Sequence, residues 1–526
     1  MTRAGLALAA LLLHLVLVLP NHPGAMTWAA LRLFPLELPV ILLGLVALRT
    51  GGRAVRAGLV AGLTVITVLK VADLAMFSVL NRPFNPLVDG NLVAAGWNVV
   101  SGAVGVVPAA LAVLAGLAAV PALAAALWWA TGRWAGVAPR RVAAALALVA
   151  AMVAVADVGQ VRRAWALPLE VPGSAFTARL AVERASTYRT MLADLAAFRA
   201  ATAADPFPAA TGLFDRLGGR DLLIVFVESY GRTSIDNPLY APTHTATLQA
   251  GAEKLAGAGL AMRSGWLTSP ISGGQSWLAH ATLASGLKVS DQSRYGAMLA
   301  SNRQTLFHLA RAAGYRTTAV MPAITLPWPE AVTLGFDATY PAADLGYKGK
   351  PFNWVTMPDQ FTLAAFDRLP RVGGPQVAQI VLISSHAPWV PVPQMVPWQA
   401  VGDGSVFDAM AAAGDPPEVV WRDRDRVREQ YRQAIDYSLG VVFDHTARSA
   451  AAGRLTIVLG DHPPAAFVSQ IDSGDVPVHV IGPPDLVALL DGWGFTPGLM
   501  PTANSPVWPM ESFRDRLIRA LSTSAP

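Results

Sequence analysis

Long apolar runs dominate the first third of the chain and are missing from the rest. Five stretches stand out: Leu6–Leu19, Trp28–Leu48, Ala57–Leu80, Ala103–Ala130 and Val142–Val158. A helix that crosses a bilayer needs ~20 apolar residues, with a range of roughly 17–25. The pattern therefore predicts five membrane spans, the first and last of them short. The first run follows Arg3 as a signal peptide would, but it leads into Pro20-Asn21-His22-Pro23 rather than a small-residue cleavage site. It reads as an uncleaved span.

After Arg162 the periodicity changes. Apolar residues at Leu180, Ala181, Tyr188, Met191, Leu192, Leu195 and Phe198 predict a helix over Ala178–Ala200, suited to lying along a membrane surface. Asp205-Pro206-Phe207-Pro208 ends it. From near Gly218, short β-rich runs alternate with helical patterns. Strands are predicted at Leu222–Val227, Arg316–Val320, Val377–Ser384, Leu455–Leu459 and Val478–Ile481. Helices are predicted at Ala246–Ala258, Trp277–Leu283, Gln304–Ala313, Arg422–Ala450 and Phe513–Leu521. This alternation predicts an α/β domain with a largely parallel central sheet. The expected organisation is a transmembrane domain of five helices over 1–158, a linker with an amphipathic helix over 159–217, and a soluble domain over 218–526.

Composition agrees with a membrane region joined to a soluble one: 53% of residues are hydrophobic and 14% charged. No cysteine is present, which excludes disulfides and zinc-thiolate sites but permits an oxidising compartment. The net charge of +5 comes with no basic block suited to nucleic acid. Arginine marks topology instead. Arg3, Arg49, Arg53, Arg56, Arg133, Arg140 and Arg141 all fall on one side of the predicted spans, against Arg82 alone in the loops of the other side. The positive-inside rule puts the N-terminus inside and everything after Val158 outside, although Arg162 and Arg163 oppose this weakly. In a bacterium with an outer membrane, that is a multi-pass inner-membrane protein with a periplasmic domain. Arg32, Glu37, Lys70 and Asp73 lie within the second and third spans. Such groups either bond helix to helix or meet a lipid head group.

Candidate chemistry gathers at strand ends, where ligands bind in open parallel sheets. The run Leu455–Gly460 delivers Asp461-His462, Leu222–Val227 delivers Glu228, and Val377–Ser384 delivers His386. Ser276-Trp277-Leu278-Ala279-His280 lies between them in sequence. Two acids, a histidine and a hydroxyl can share one divalent metal, and a hydroxyl so placed is an activated nucleophile. Oxygen and nitrogen donors without sulfur suit Zn2+ or Mn2+. Ser276 could instead cap the helix that begins at Trp277.

Together these residues resemble the sulfatase branch of the alkaline phosphatase superfamily. Within it they resemble the membrane-anchored enzymes of the lipoteichoic acid synthase, phosphoglycerol transferase and phosphoethanolamine transferase type. The resemblance covers the five-span layout and most of Asp221–Gly482. It rests on Phe226-Val227-Glu228-Ser229-Tyr230-Gly231, Ser276–Gly286, Ser385-His386-Ala387-Pro388-Trp389 and Leu459-Gly460-Asp461-His462. It implies an alkaline-phosphatase/sulfatase-like fold and one metal ion held by Glu228, Ser276, Asp461 and His462. It implies Ser276 as nucleophile, with Ser272 as the fallback. His386 would be a proton donor that also contacts the substrate phosphate, and Trp354 and His280 would be further substrate contacts. Leu283, Ser285 and Gly286 match the tail of the sulfatase nucleophile motif. Leu278, Ala279 and His280 replace its Pro, Ser and Arg, so a formylglycine and true sulfatase activity are not expected. The arginine these relatives often carry near the substrate aromatic is replaced by Val355, Thr356 and Met357.

The function implied is transfer of a phospho head group, phosphoglycerol or phosphoethanolamine, from a membrane phospholipid donor to an envelope glycan or lipid acceptor. Two alternatives remain: a phosphate or sulfate ester hydrolase, and a non-catalytic lipid-sensing regulator.

Overall fold

The computed structural model describes the chain except residues 1, 49–51, 81–82, 87–88, 92–96, 98–100, 102–104, 139–141, 163, 166–172, 208–210, 372 and 525–526. Of the residues used for topology, Arg49, Arg82, Arg140, Arg141 and Arg163 lie outside the described residues. The chain divides into two compact units, Met1–Asp194 and Leu195–Pro526.

In the first unit the apolar runs are helical: α1 (Arg3–Val18), α2 (Glu37–Leu48), α3 (Arg53–Leu80), α4 (Val106–Ala135) and α5 (Ala143–Val161). Among the described residues only α3, α4 and α5 are long and apolar enough to cross a membrane. This qualifies the expectation of five. The helix α1 has 16 residues and α2 has 12. The second predicted span is broken, with Trp28–Arg32 a separate short helix before Pro35. Proline lacks an N–H and disfavours helix in the residue before it, so the apolar run continues while the helix does not.

Charges set among these apolar helices clamp the start of the next helix, α6 (Phe176–Thr202). Lys70, fully buried, donates to the carbonyls of Val16 (3.2 Å) and Leu17 (3.0 Å) at the end of α1 and to Thr177 Oγ1 (2.8 Å). Glu37 accepts from the Ala178 N–H and Asp157 from the Ala175 N–H, both at 2.8 Å. These N–H groups have no partner inside their own helix, and a carboxylate there also favours the helix dipole. Asp73 accepts from Arg184 (2.5 Å), Asn21 (2.9 Å) and the Phe84 N–H (2.8 Å). Of the two roles open to these groups, helix-to-helix bonding is the one seen for Glu37, Lys70 and Asp73, while Arg32 is exposed. Lys70→Met should therefore lower the unfolding midpoint of the full chain in detergent by the equivalent of ~2 kcal/mol, because two carbonyls lose a charged donor. An unchanged midpoint would mean the clamp contributes nothing.

The second unit is built on one nine-stranded sheet in the order β4-β3-β5-β1-β6-β7-β2-β8, with β9 also on β2. The strands are β1 (Leu222–Val227), β2 (Ala261–Thr268), β3 (Arg316–Met321), β4 (Ala338–Pro341), β5 (Gln376–Leu382), β6 (Leu455–Gly460), β7 (Asp475–Gly482), β8 (Thr496–Pro497) and β9 (Val507–Pro509). All six residues of β1 and of β6 are buried, as their unbroken apolar runs predict for central strands. Strands β4, β3, β5, β1 and β6 are parallel. The sheet as a whole is mixed rather than largely parallel. β7 runs antiparallel to β6, and β2 antiparallel to β7 and β8. The missed strand β2, Ala-Met-Arg-Ser-Gly-Trp-Leu-Thr, is only half buried and carries Arg263, Ser264 and Gly265, so it lacks an apolar run.

Candidate active site

Parallel register brings the two acids together. Val227 of β1 pairs with Gly460 of β6, so the next residues, Glu228 and Asp461, leave the sheet side by side. Gly460 is required there, because a Cβ would lie 1.8 Å from the Tyr230 carbonyl oxygen. Asp461 Oδ1 accepts from the N–H groups of Ser229 (2.9 Å) and His462 (2.7 Å). Asp461 Oδ2 is buried with no partner. His462 Nδ1 lies 2.9 Å from the Pro463 carbonyl. Donation there leaves Nε2 as the end that faces Glu228 Oε1, at 3.2 Å.

The Ser276 segment arrives through a sharp turn. Gly273, Gly274 and Gln275 have φ of 70°, 111° and 64°, all left-handed. After helix α7 (Ala241–Gly257) and β2, this turn directs the Gly274 N–H to His462 Nε2 (3.1 Å) and starts helix α8 (Ser276–Ser285). Ser276 is the first helical residue, and its Oγ lies 2.8 Å from Glu228 Oε2 and 3.2 Å from His462 Nε2. The flanking Gln275 makes no side-chain cap, and the Ser276 hydroxyl is turned to the cluster rather than to its own helix. Ser272 is exposed. At the other end of α8, Ser285 O accepts from Arg303 Nε (2.8 Å) and Arg514 Nη1 (3.1 Å), and Arg514 also binds Asp205 at 3.0 Å. Two cations at its C-terminus favour the helix.

The remaining candidates stand around this core. His280, one turn after Ser276, is 7% exposed, packs on Phe226 and has its Nε2 4.0 Å from Asp461 Oδ2. His386 follows β5, the other neighbour of β1. Its loop is tied to β1 by Ser385 Oγ donating to the Glu228 carbonyl (2.7 Å), and its Nδ1 lies 2.5 Å from the Ala387 carbonyl. Trp354 is 83% exposed on a turn whose Asn353 side chain bonds the Val390 carbonyl of that same loop. Left-handed φ values at the non-glycine residues Ser229, Gln275, Asn353 and Trp389 all fall beside these candidates. Strain of this kind gathers at functional sites.

One organising residue escaped the sequence. Asp359, fully buried, accepts from the N–H groups of Ile383 (2.8 Å) and Ser384 (2.9 Å) and from Ser438 Oγ (2.6 Å), fixing the base of the His386 loop. Its only sequence signal, an acid opening a helix after proline, is shared by many surface caps. His479 is buried between Tyr230 OH (3.1 Å) and Ser264 Oγ (2.8 Å), and burial lowers its pKa to about 3.

The cluster fits a divalent cation. One donor atom from each of Glu228, Asp461 and His462 lies within 4.8 Å of the others, all buried. Two buried carboxylates at this spacing need a compensating charge. Burial would raise Glu228, but the charges of His462 and His386 hold it well below the usual carboxylate range. Burial and then the charge of Glu228 push Asp461 well above it. Burial would lower His462, yet the two acids raise it to about 10. A metal ion bound there would compete with protons for these groups. Burial lowers His280 to about 4.

Fold and site together set the Ser276 hydroxyl beside Glu228 and His462 at the carboxyl ends of parallel strands. Residues 220–459 match the family model described as sulfatase. That match spans under half of the chain and supports a sulfatase-like enzyme domain within the second unit. No curated protein matches the sequence. Similar solved structures include the lipoteichoic acid synthase LtaP of Listeria monocytogenes, at 13% identity, 58% of this chain, 74% of that one and TM-score 0.39. Another is the C-terminal periplasmic domain of EcEptC from Escherichia coli, at 14%, 58%, 82% and 0.38. A third is the Streptococcus pyogenes phosphoglycerol transferase GacH in complex with sn-glycerol-1-phosphate, at 10%, 64%, 82% and 0.39.

Proposed function

We propose that this protein is a metal-dependent, membrane-anchored phosphotransferase. It takes a phospho head group, phosphoglycerol or phosphoethanolamine, from a membrane phospholipid and passes it to an envelope glycan or lipid. The observation that carries this reading is the Ser276 hydroxyl, at the head of a helix and hydrogen-bonded at once to Glu228 and His462. Glu228, Asp461, His462 and Ser276 would hold one Zn2+ or Mn2+. Bound there, the ion supplies Lewis acidity, lowering the hydroxyl pKa and offsetting charge on the phosphoryl oxygens.

Ser276 Oγ attacks the phosphorus of the diester, and its proton leaves along the hydrogen bond to Glu228 Oε2. A bond forms from Oγ to phosphorus as the bond from phosphorus to the glycerolipid oxygen breaks. His386, its Nδ1 held by the Ala387 carbonyl, hands a proton from Nε2 to that leaving oxygen. The first N–H groups of α8 face the phosphoryl group and favour its negative charge. The exposed face of Trp354 contacts the head group. An acceptor hydroxyl then displaces Ser276, giving its proton to His386 Nε2 as Ser276 regains its own from Glu228; water in its place would give hydrolysis. Five spans with the N-terminus inside would put this chemistry on the outer face of the inner membrane, in the periplasm, where donor and enzyme share one surface.

The test is to incubate the full chain in detergent with phospholipids of defined head group, quench with acid and map the adduct by mass spectrometry. The expected result is a phospho head group on the peptide containing Ser276. An adduct on Ser272 would move the nucleophile. Bound metal without any adduct or turnover would favour the lipid-sensing regulator.

A further inference from the structure

Helix α8 carries two polar side chains one turn apart, and each reaches a different part of the cluster. Ser276 meets Glu228 and His462, while His280 faces Asp461, with Nε2 4.0 Å from Oδ2. Both residues of this second pair are buried. Neither ring nitrogen of His280 has a hydrogen-bond partner, and neither does Asp461 Oδ2. Unpartnered polar groups at this depth are costly, and here they point at one another. The other Asp461 oxygen is already occupied by two N–H groups, from Ser229 and His462. Oδ1 lies nearer His462 Nε2, at 4.0 Å, but both its lone pairs are taken by those N–H groups, so Oδ2 is the oxygen with lone pairs free for His280 and a cation. His280 falls outside the group whose donor atoms converge within 4.8 Å, so its place is behind Asp461 rather than among the ligands. Its ring is packed on Phe226, 4.3 Å between centroids, which keeps it beside Asp461.

We propose that His280 is a positioning residue for Asp461: its Nε2–H takes the outward lone pair of Oδ2 and holds the other lone pair toward the bound cation. The inference rests on the metal reading above and extends it. The gap of 4.0 Å closes to a hydrogen bond with a shift of about 1 Å toward ordinary N–H···O distances. Partners behind a metal ligand commonly change metal affinity by about 10–100-fold. One rigid turn of helix would then set both the nucleophile and the direction of a ligand, so the two cannot drift independently. The arginine of the sulfatase motif would bring a fixed cation to this position; His280 brings a donor aimed at a carboxylate.

The experiment measures zinc affinity of the full chain in detergent by chelator competition, and the visible spectrum of the cobalt(II) form, for wild type, His280→Leu and His280→Gln. His280→Leu should bind zinc about 10–100-fold more weakly. His280→Gln, which keeps an N–H donor, should recover part of that loss. Cobalt band intensities should match wild type in both, because no ligand is lost. Melting temperatures of the metal-free variants should also match wild type, which separates positioning from a folding defect. Wild-type zinc affinity in His280→Leu would overturn the proposal, as would a glutamine variant no better than leucine. A cobalt spectrum that changes as for a lost ligand would also overturn it, by making His280 a ligand. A wild-type chain that binds neither ion would overturn the metal reading itself, and this inference with it.

Discussion

Ser276→Ala should abolish turnover of the phospholipid donor, lowering kcat by about 10⁴-fold or more, because no neighbouring group can form the missing bond. The geometry makes this a clean substitution. The Ser276 hydroxyl bonds to Glu228 and His462 and to nothing in its own helix, so its removal leaves the start of α8 intact. The stability change should stay near 1 kcal/mol, the order of one hydrogen bond. Ser276→Thr keeps the hydroxyl and should retain measurable activity if the added methyl fits beside Trp277. Ser272→Ala, at an exposed position, should behave as wild type. Turnover and melting temperature measured together decide the matter. Full activity in Ser276→Ala would remove it as nucleophile, and a large fall in melting temperature with activity kept would make it a cap after all.

Asp461→Ala and Glu228→Ala should each take bound metal from one equivalent per chain to none at micromolar free ion. The loss should exceed the roughly 10–100-fold effect of residues that only support a ligand. Metal-free Glu228→Ala should melt no lower than wild type, whereas metal-free Asp461→Ala should melt lower, because the buried N–H groups of Ser229 and His462 lose their acceptor. Glu228→Ala removes one of two buried acids that burden each other: Asp461 is driven well above its ordinary pKa by burial and by the charge of Glu228. The wild type should gain melting temperature when zinc is added, since an ion that binds only the folded state stabilises it, and the variants should not. Metal analysis after dialysis and a thermal scan with and without zinc read both effects. A variant that keeps a full equivalent would exclude that residue as a ligand. A wild type indifferent to zinc and to chelator would count against the metal-dependent reading.

Much of this site could be read from the chain because the signals were local. Leu222–Val227 and Leu455–Gly460 are unbroken apolar runs, and a run of that length ending in an acid is legible without a fold. The same holds for the apolar helices, although periodicity could not tell that Pro35 splits the second predicted span, since apolar composition continues across the break. The mixed character of the sheet was illegible for the opposite reason. Strand β2 is half buried and polar in its middle, and it is a strand only because β7, β8 and β9 pair with it.

Sequence alone therefore determined which segments are apolar, which strands carry acids or histidines at their ends, and which motif the nucleophile segment resembles. Tertiary structure decided what those residues touch. The Val227–Gly460 register sets Glu228 beside Asp461, and a three-residue left-handed turn sets Ser276 on both Glu228 and His462. Helix packing turns His280 toward Asp461 and gives Lys70 its partners in α1 and α6. The physical reason is separation along the chain. Periodicity reports whether a residue is buried within its own element. Ser276 and Glu228 are 48 residues apart, Ser276 and His462 186, and Lys70 and Thr177 107. Contacts at those separations are fixed by strand order, register and helix packing, which no local pattern encodes.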